Sequence, residues 1–160
     1  MAENAERQGS IATADYGKTV TLKSLGLATL MARTGLFLPC SGTPQLPWCE
    51  AVLADIGDEQ SLQQNLSTFS GHVRRIARIL EALSSLGAAP VPALVLLDEV
   101  GAGTDPSEGA ALATALLRHL ADQVQLSVAT THFGELKALK YDDSRFENAS
   151  VEFDEVSLRP

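Results

Sequence analysis

The chain has 160 residues, of which 45% are hydrophobic, and it carries a formal net charge of −8 with a pI of about 4.8. This size fits one domain with a substantial core, and the hydrophobic content argues against global disorder. The negative charge argues against a broad nucleic-acid surface, because such surfaces neutralise phosphates with Lys and Arg.

The amino-terminal residues lack an apolar segment behind a basic start, and no apolar run reaches the roughly 20 residues that span a bilayer. The sequence therefore predicts neither a secretory signal nor a membrane anchor. Cys40 and Cys49 lack the spacing of metal ligands, which favours two reduced thiols over a loop disulfide. A cytoplasmic or nucleoid-associated protein is expected, with an organelle as the alternative if the true amino terminus is missing.

The first part of the chain divides at Gly17. Residues 1–16 are polar, small and aperiodic, which predicts a disordered or non-native leader without an apolar strand. From Gly17 onward, apolar residues at three- and four-residue steps predict a largely buried helix that ends at Gly35. Leu36–Leu38 is predicted as a short strand, and the proline-rich stretch 39–50 as a surface loop.

The middle of the chain is predicted to hold a strand over Ala51–Asp55, a polar connection or short helix, and a long helix over Leu66–Ser85. Three arginines of this helix are assigned to its solvated face: Arg74, Arg75 and Arg78. Its apolar face is predicted to comprise Val73, Ile76, Ala77, Leu80 and Leu83.

The last part alternates strands and helices. A strand buried on both faces is predicted at 93–97, and a helix capped by Asp105 runs to about Asp122. The predicted inward residues of that helix are Ala111, Leu112, Ala115, Leu116 and Leu120. The remaining predicted elements are a strand at Gln125–Thr130, a short helix at Glu135–Leu139 and an edge strand at Arg145–Phe153. This alternation predicts an α/β domain with a mainly parallel sheet flanked by helices.

Asp98 and Glu99 follow the buried strand directly. Two acids at the carboxyl end of such a strand are costly unless a cation or a substrate uses them. The pattern is typical of a Walker B strand, in which the first acid serves a magnesium ion and the second polarises the attacking water. A structural pair that only caps a turn is the alternative.

Gly17, Lys18 and Thr19 match the end of a phosphate-binding loop at the start of a helix. Lys18 would neutralise phosphates, and the Thr19 hydroxyl would join the magnesium shell. Ala12, however, stands where such a loop needs glycine, and Tyr16 directly precedes Gly17. Either the loop is damaged, or residues 1–16 are not native to the domain.

Two further features are candidates for phosphate contacts. His132 follows the strand beside the acids, where it could contact a terminal phosphate, although a lone histidine is more often a packing residue. The hydroxyl-rich start of the long helix, Ser67–Gly71, could bind an anion, or Ser67 could simply be an N-cap.

The stretches GKTVTLKSLGL, VLADIGDEQSLQQNLSTFSGH, LVLLDEVGAGTDPSEG and ATTHFGEL, in this order, resemble the carboxyl-terminal ATPase of MutS proteins. The resemblance covers residues 17–160. It is closest to the second, anti-recombination and endonuclease-linked branch, on the basis of DEVGAGTDP, LSTFSGH and NASVEFD. The chain would then be a MutS-type ATPase domain truncated at its N-terminal side.

This resemblance implies an ABC-type P-loop NTPase-like fold, ATP and Mg²⁺ as cofactors, and a homodimer or a pairing with a full-length family partner. It implies roles for Gly17, Lys18, Thr19 and Asp98 in ATP binding, for Thr19 and Asp98 at the metal, and for Glu99 and His132 in catalysis. Ser67, Thr68, Phe69, Ser70 and Gly71 would reach the partner's nucleotide, and Gly101, Gly103, Thr104 and Asp105 would lie at the dimer seam. DNA or ribosome contacts, in recombination or mismatch-repair processes, would use segments missing here.

Three functions follow from these observations. The first is Mg²⁺-dependent ATP hydrolysis by a domain of a larger protein. The second is a degenerate, non-hydrolysing dimerisation remnant with a damaged phosphate loop. The third, an independent nucleic-acid-binding module, is the weakest because of the net charge of −8.

Overall fold

The computed structural model of the chain describes residues 9–12, 17–57 and 67–150. Within these ranges the strands are β1 Gly9–Ala12, β2 Ala51–Asp55, β3 Val91–Leu97, β4 Val124–Thr130 and β5 Phe146–Ala149. The helices are α1 Lys18–Arg33, α2 Ser67–Ser85 and α3 Pro106–Gln123, followed by a 3-10 turn at Gly134–Ala138 and the short α4 at Leu139–Asp142.

The strands form one sheet in the order β2-β3-β4-β1-β5, and every pairing is parallel. β3 is buried on both faces, as its apolar run predicts. Val95 and Leu97 face a core shared with α2 and α3, whereas Leu94 and Leu96 belong to a second core with Leu22 of α1. The predicted α/β fold, with a parallel sheet flanked by helices, is confirmed.

The structure differs from the sequence analysis at the amino-terminal side, where no strand is predicted. Gly9–Ala12 forms β1, which lies between β4 and β5 and pairs with both. Backbone hydrogen bonds on two sides hold this strand, so it does not require the large apolar side chains by which strands are recognised in a sequence.

The prediction of a largely buried α1 is wrong. Only one stripe of the helix is buried, and it includes Leu22, Gly26 and Thr29, whereas Val20 and Leu30 are exposed. The predicted strand at 36–38 is also wrong, because these residues form an irregular loop in which the Phe37 side chain is 98% exposed.

The predicted face of α3 is wrong at three positions, since Ala111, Leu112 and Ala115 are exposed. The buried stripe consists of Gly109, Ala110, Ala113, Leu116, Leu117, Leu120 and Ala121. On α2, Val73 and Ala77 are exposed, and Ile79 and Leu83 are the buried residues. Small residues in the buried stripe explain the errors on α3, because glycine and alanine mark a close helix–sheet contact less clearly than leucine does. On α2 the predicted Ile76 and Leu80 are partly buried against the core, and the predicted Leu83 is buried.

Cys40 is exposed, Cys49 is buried, and both are free thiols. Burial raises the pKa of the Cys49 thiol, which keeps it protonated and unreactive. In the part of the chain described here, no helix is long and apolar enough to cross a bilayer. Tyr16, most of the predicted connection after Asp55 and the end of the predicted strand 145–153 lie outside the described residues.

Candidate functional site

The carboxyl ends of β3 and β4 meet the amino end of α1 around a cavity of about 110 Å³. Gly17 enters α1 with a φ of 83°, a left-handed conformation that glycine adopts without strain. The cavity is lined by Gly17, Lys18, Thr19, Val20, Asp98, Glu99, Thr130 and His132. The residues that the sequence assigns to ATP binding and catalysis therefore lie together at the ligand-binding edge of a parallel sheet.

Asp98 lies at the base of this cavity with its side chain enclosed by hydroxyl groups. The Thr19 hydroxyl donates to its Oδ2 over 2.7 Å, and the Thr130 hydroxyl donates to its Oδ1 over 2.6 Å. Asp98 is only 6% exposed, so these contacts replace the water that its carboxylate loses. Both donors are neutral, and the negative charge of Asp98 remains able to attract a cation.

Glu99 has an unusual backbone for a residue with a side chain, since its φ is 49°. The Thr130 hydroxyl accepts a hydrogen bond of 2.8 Å from the Glu99 amide and so helps to hold this conformation. The turn directs the Glu99 side chain to His132, whose Nε2 lies 2.9 Å from Glu99 Oε1. A strained acid beside an open cavity is a common feature of functional sites.

A glycine turn packs closely behind the two acids. A Cβ on Gly101 would lie 2.5 Å from the Gly109 carbonyl oxygen and 2.8 Å from the Phe133 ring. Any side chain at this position would therefore clash with α3 and with Phe133. A Cβ on Gly103 would meet Phe69 of α2 at 3.3 Å. The turn thus connects Glu99 to the start of α2.

Asp105 ends this turn and caps α3, as the sequence predicts. Its Oδ1 accepts hydrogen bonds from the Ser107 hydroxyl at 2.6 Å and from the backbone amides of Ser107 and Glu108. The Ser107 hydroxyl, followed by these amides, lowers the pKa of Asp105, which keeps the cap charged. Thr104 donates to Glu108 over 3.4 Å in the same turn.

The start of α2 lies outside this cavity. Of the predicted Ser67–Gly71 element, the described side chains from Phe69 onward do not line the cavity. Phe69 instead contacts the turn at Gly103. Within one chain, Phe69, Ser70 and Gly71 are therefore separate from the cavity that Lys18 lines.

Residues 12–159 match the family model described as MutS domain V. The chain belongs to this MutS family. It is 67% identical to the protein named Endonuclease MutS2 of Synechocystis sp., in an alignment that covers 90% of this chain and 19% of that protein. Proteins of the same name from Symbiobacterium thermophilum and Shouchella clausii are 57% and 52% identical, again over 90% of this chain and over 17% and 18% of their own lengths. The chain thus spans about a fifth of the length of these relatives, and the predicted family is confirmed.

The geometry of this MutS domain V includes residues that the sequence analysis did not select. Thr130 joins both acids, but only its position at the end of β4 could have indicated this role. Asp55 at the end of β2 contacts His72 and Arg75 of α2, although Arg75 was assigned to a solvated face. The assignment holds for the exposed Arg74 and Arg78, whereas the Arg75 side chain is 41% exposed and also pairs with Asp55, a contact that the sequence analysis missed.

A magnesium ion fits the donor chemistry of the MutS domain V site. In the described ranges, no group of three or more His, Cys, Asp or Glu side chains could hold a metal by itself. Mg²⁺ commonly binds through one or two protein oxygens together with substrate phosphates and water. The Thr19 hydroxyl and the Asp98 carboxylate, already 2.7 Å apart, supply two oxygens of this kind.

Proposed function

We propose that this chain binds ATP with Mg²⁺ and hydrolyses the terminal phosphate, and that its fold is of the ABC-type P-loop NTPase class. The observation that supports this most directly is the linked set of Thr19, Asp98, Thr130 and Glu99. One hydroxyl at the amino end of α1 and another at the end of β4 both donate to Asp98. A turn that only needed a cap would not require a buried acid between two other elements.

Each residue of the cavity has a role in this proposal. The buried Lys18 and the backbone amides at the start of α1 would bind the phosphates. Glu99 would accept a proton from the attacking water, and His132, 2.9 Å from it, would orient the Glu99 carboxylate and contact the terminal phosphate. The Thr19 hydroxyl and the Asp98 carboxylate would hold Mg²⁺, which would supply positive charge against the charge that develops on the phosphates.

Hydrolysis is proposed to require a second chain. The described side chains of the Ser67–Gly71 element, from Phe69 onward, do not line the cavity of their own chain, which suits a role at the nucleotide of a partner. A homodimer or a pairing with a full-length family member would complete each site. The domain would then couple its nucleotide state to the action of a larger protein on DNA or on ribosomes, through segments other than those described here.

The Glu99→Gln variant tests this proposal. We expect ATP binding with Mg²⁺ to persist and phosphate release to fall about 100-fold or more, because the amide cannot accept the proton. Binding is measured with a fluorescent ATP analogue and turnover by phosphate release. The matched control is Glu81→Gln, which removes an exposed carboxylate from α2 and should keep wild-type turnover. A wild-type chain that binds no ATP at millimolar concentrations refutes the proposal.

A non-hydrolysing remnant is the second candidate, favoured by one observation. Ala12 is the last residue of β1 and stands where the phosphate loop requires glycine. If a damaged loop prevents binding, wild type will not bind ATP, and Ala12→Gly combined with Tyr16→Gly will restore binding. Binding by the wild-type chain excludes this alternative.

A further inference from the structure

A second cluster of charged groups lies at the same edge of the sheet, one strand away from Asp98. Asp55 ends β2 and is only 2% exposed. His72 Nδ1 lies 2.7 Å from Asp55 Oδ2, and Arg75 Nε donates to Asp55 Oδ1. Both carboxylate oxygens are thus bound by side chains from the second and third turns of α2.

The geometry indicates which ring nitrogen of His72 carries a hydrogen. At 2.7 Å from a carboxylate oxygen, Nδ1 must carry a proton, because two lone pairs would otherwise face each other. The Arg75 guanidinium, with Nη2 at 3.3 Å from the same ring nitrogen, therefore approaches His72 without a hydrogen bond to it. The buried carboxylate is consequently the common acceptor of both side chains, and the removal of either partner leaves one of its oxygens unbound.

Two glycines bound the space of the Arg75 guanidinium. A Cβ on Gly57 would lie 3.3 Å from Nη2, and a Cβ on Gly71 would lie 3.4 Å from Nη1. Gly57 follows β2, and Gly71 belongs to the Ser67–Gly71 element. The arginine is therefore held between the end of β2 and the second turn of α2.

The cluster is connected to the nucleotide pocket through the backbone. The Asp98 amide donates to the Asp55 carbonyl oxygen over 2.8 Å, where β2 and β3 end side by side. Phe69, in the first turn of α2, packs near Gly103 of the turn that follows Glu99, where an added Cβ would lie 3.3 Å from the Phe69 Cβ. The start of α2 is thus fixed at two points, both of which lead to the acids of the pocket.

We propose that Asp55, His72 and Arg75 are positioning residues that fix the Ser67–Gly71 element for its contact with the partner's nucleotide. This inference rests on the proposed function. The three residues do not line the cavity of their own chain. The link from Asp55 to Asp98 is a main-chain hydrogen bond, which substitution of the side chains does not remove. We therefore expect their loss to weaken turnover through the partner's site and to leave ATP binding by their own pocket intact.

The test compares His72→Ala with His72→Asn in the full chain. The Asn side chain can present an N–H close to the place of Nδ1, whereas Ala removes the bond to Asp55. We expect His72→Ala to lower kcat about 10-fold to 100-fold, since a displacement of about 1 Å in a positioning element has effects of this size. We expect the affinity for a fluorescent ATP analogue to stay within about twofold of wild type, and His72→Asn to restore kcat to within about threefold.

A mixing experiment adds a readout that a general loss of stability would not give. His72→Ala retains an intact cavity, and Glu99→Gln retains an intact Ser67–Gly71 element. Equal amounts of the two inactive variants should together form one complete composite site and regain turnover.

The outcomes separate the two proposals. If wild type hydrolyses ATP and His72→Ala does so equally well, or if mixing restores nothing, the positioning role is refuted alone. Equal losses in His72→Ala and His72→Asn refute it as well. If wild type neither binds nor hydrolyses ATP, the proposed function falls, and the positioning role falls with it.

Discussion

Among single residues, Thr130 is the one that connects the two acids of the candidate site. Its hydroxyl donates to Asp98 Oδ1 and accepts from the Glu99 amide, at 2.6 and 2.8 Å. Asp98 is buried and Glu99 has a left-handed backbone, so the Thr130 side chain both hydrogen-bonds a buried carboxylate and helps to hold a strained turn. Serine and threonine can do this because a hydroxyl both donates and accepts.

Thr130→Val should therefore be costly although it nearly conserves volume. We expect the free energy of unfolding to fall by about 1–3 kcal/mol, because a buried carboxylate oxygen and an amide lose their partner. Urea denaturation measures this change. Thr130→Ser keeps the hydroxyl and is the control, and equal stability of the Val and Ser variants would contradict the explanation.

A second residue-level prediction concerns pH. The hydrogen-bonded Arg145 guanidinium lowers the pKa of Asp143 from 3.8 to about 2. A carboxyl whose pKa is lower in the folded chain stabilises the fold above pH 3.8, and this stabilisation is lost as the pH falls towards 2.

Asp143→Asn should reduce this acid sensitivity. Wild type is expected to lose more stability than the variant between pH 4 and pH 2, as measured by urea denaturation at each pH, because Asn does not titrate. Asp142→Asn removes the same charge from an exposed neighbour and is the matched control. An unchanged difference between wild type and Asp143→Asn across this range would contradict the prediction.

At the scale of elements, the glycine turn and α3 pack together without room for a side chain. A Cβ on Gly109 would lie 2.3 Å from the Gly101 carbonyl oxygen and 3.0 Å from the Phe133 ring. Phe133 directly follows His132, so this contact links the histidine, the turn and the helix.

Gly109→Ala should consequently destabilise the chain by about 1–3 kcal/mol, as overpacking does, even though alanine favours helices over glycine. Thermal or urea denaturation measures the loss. Gly134→Ala is the control, because a Cβ there meets no atom within 4 Å. A Gly109→Ala variant as stable as wild type would show that the turn can move away without cost.

For the molecule as a whole, long apolar runs and adjacent acids are the parts of the fold and site that the sequence predicts well. The apolar run before Asp98 predicts the interior strand β3, because such a run has no solvated face. Gly17 to Thr19 and the acids could be expected to meet, because the ends of parallel strands share an edge with the helices that follow them.

The remaining features depend on contacts between distant residues. β1 has small residues, and its partners on β4 and β5 determine it. The buried face of α3 contains small residues and excludes Leu112. Asp55 contacts His72 and Arg75 only because the end of β2 packs against α2. No local pattern carries this information, since hydrophobic periodicity describes one element at a time.

The position of β1 also has a consequence for biosynthesis. Ser10 is in register with Val128 on one side and with Glu147 on the other. Ser10 emerges from the ribosome long before β4 or β5 has been translated. β1 therefore has no hydrogen-bond partners while the intervening chain is synthesised. Of the described strands, the first to be translated is thus among the last to be paired.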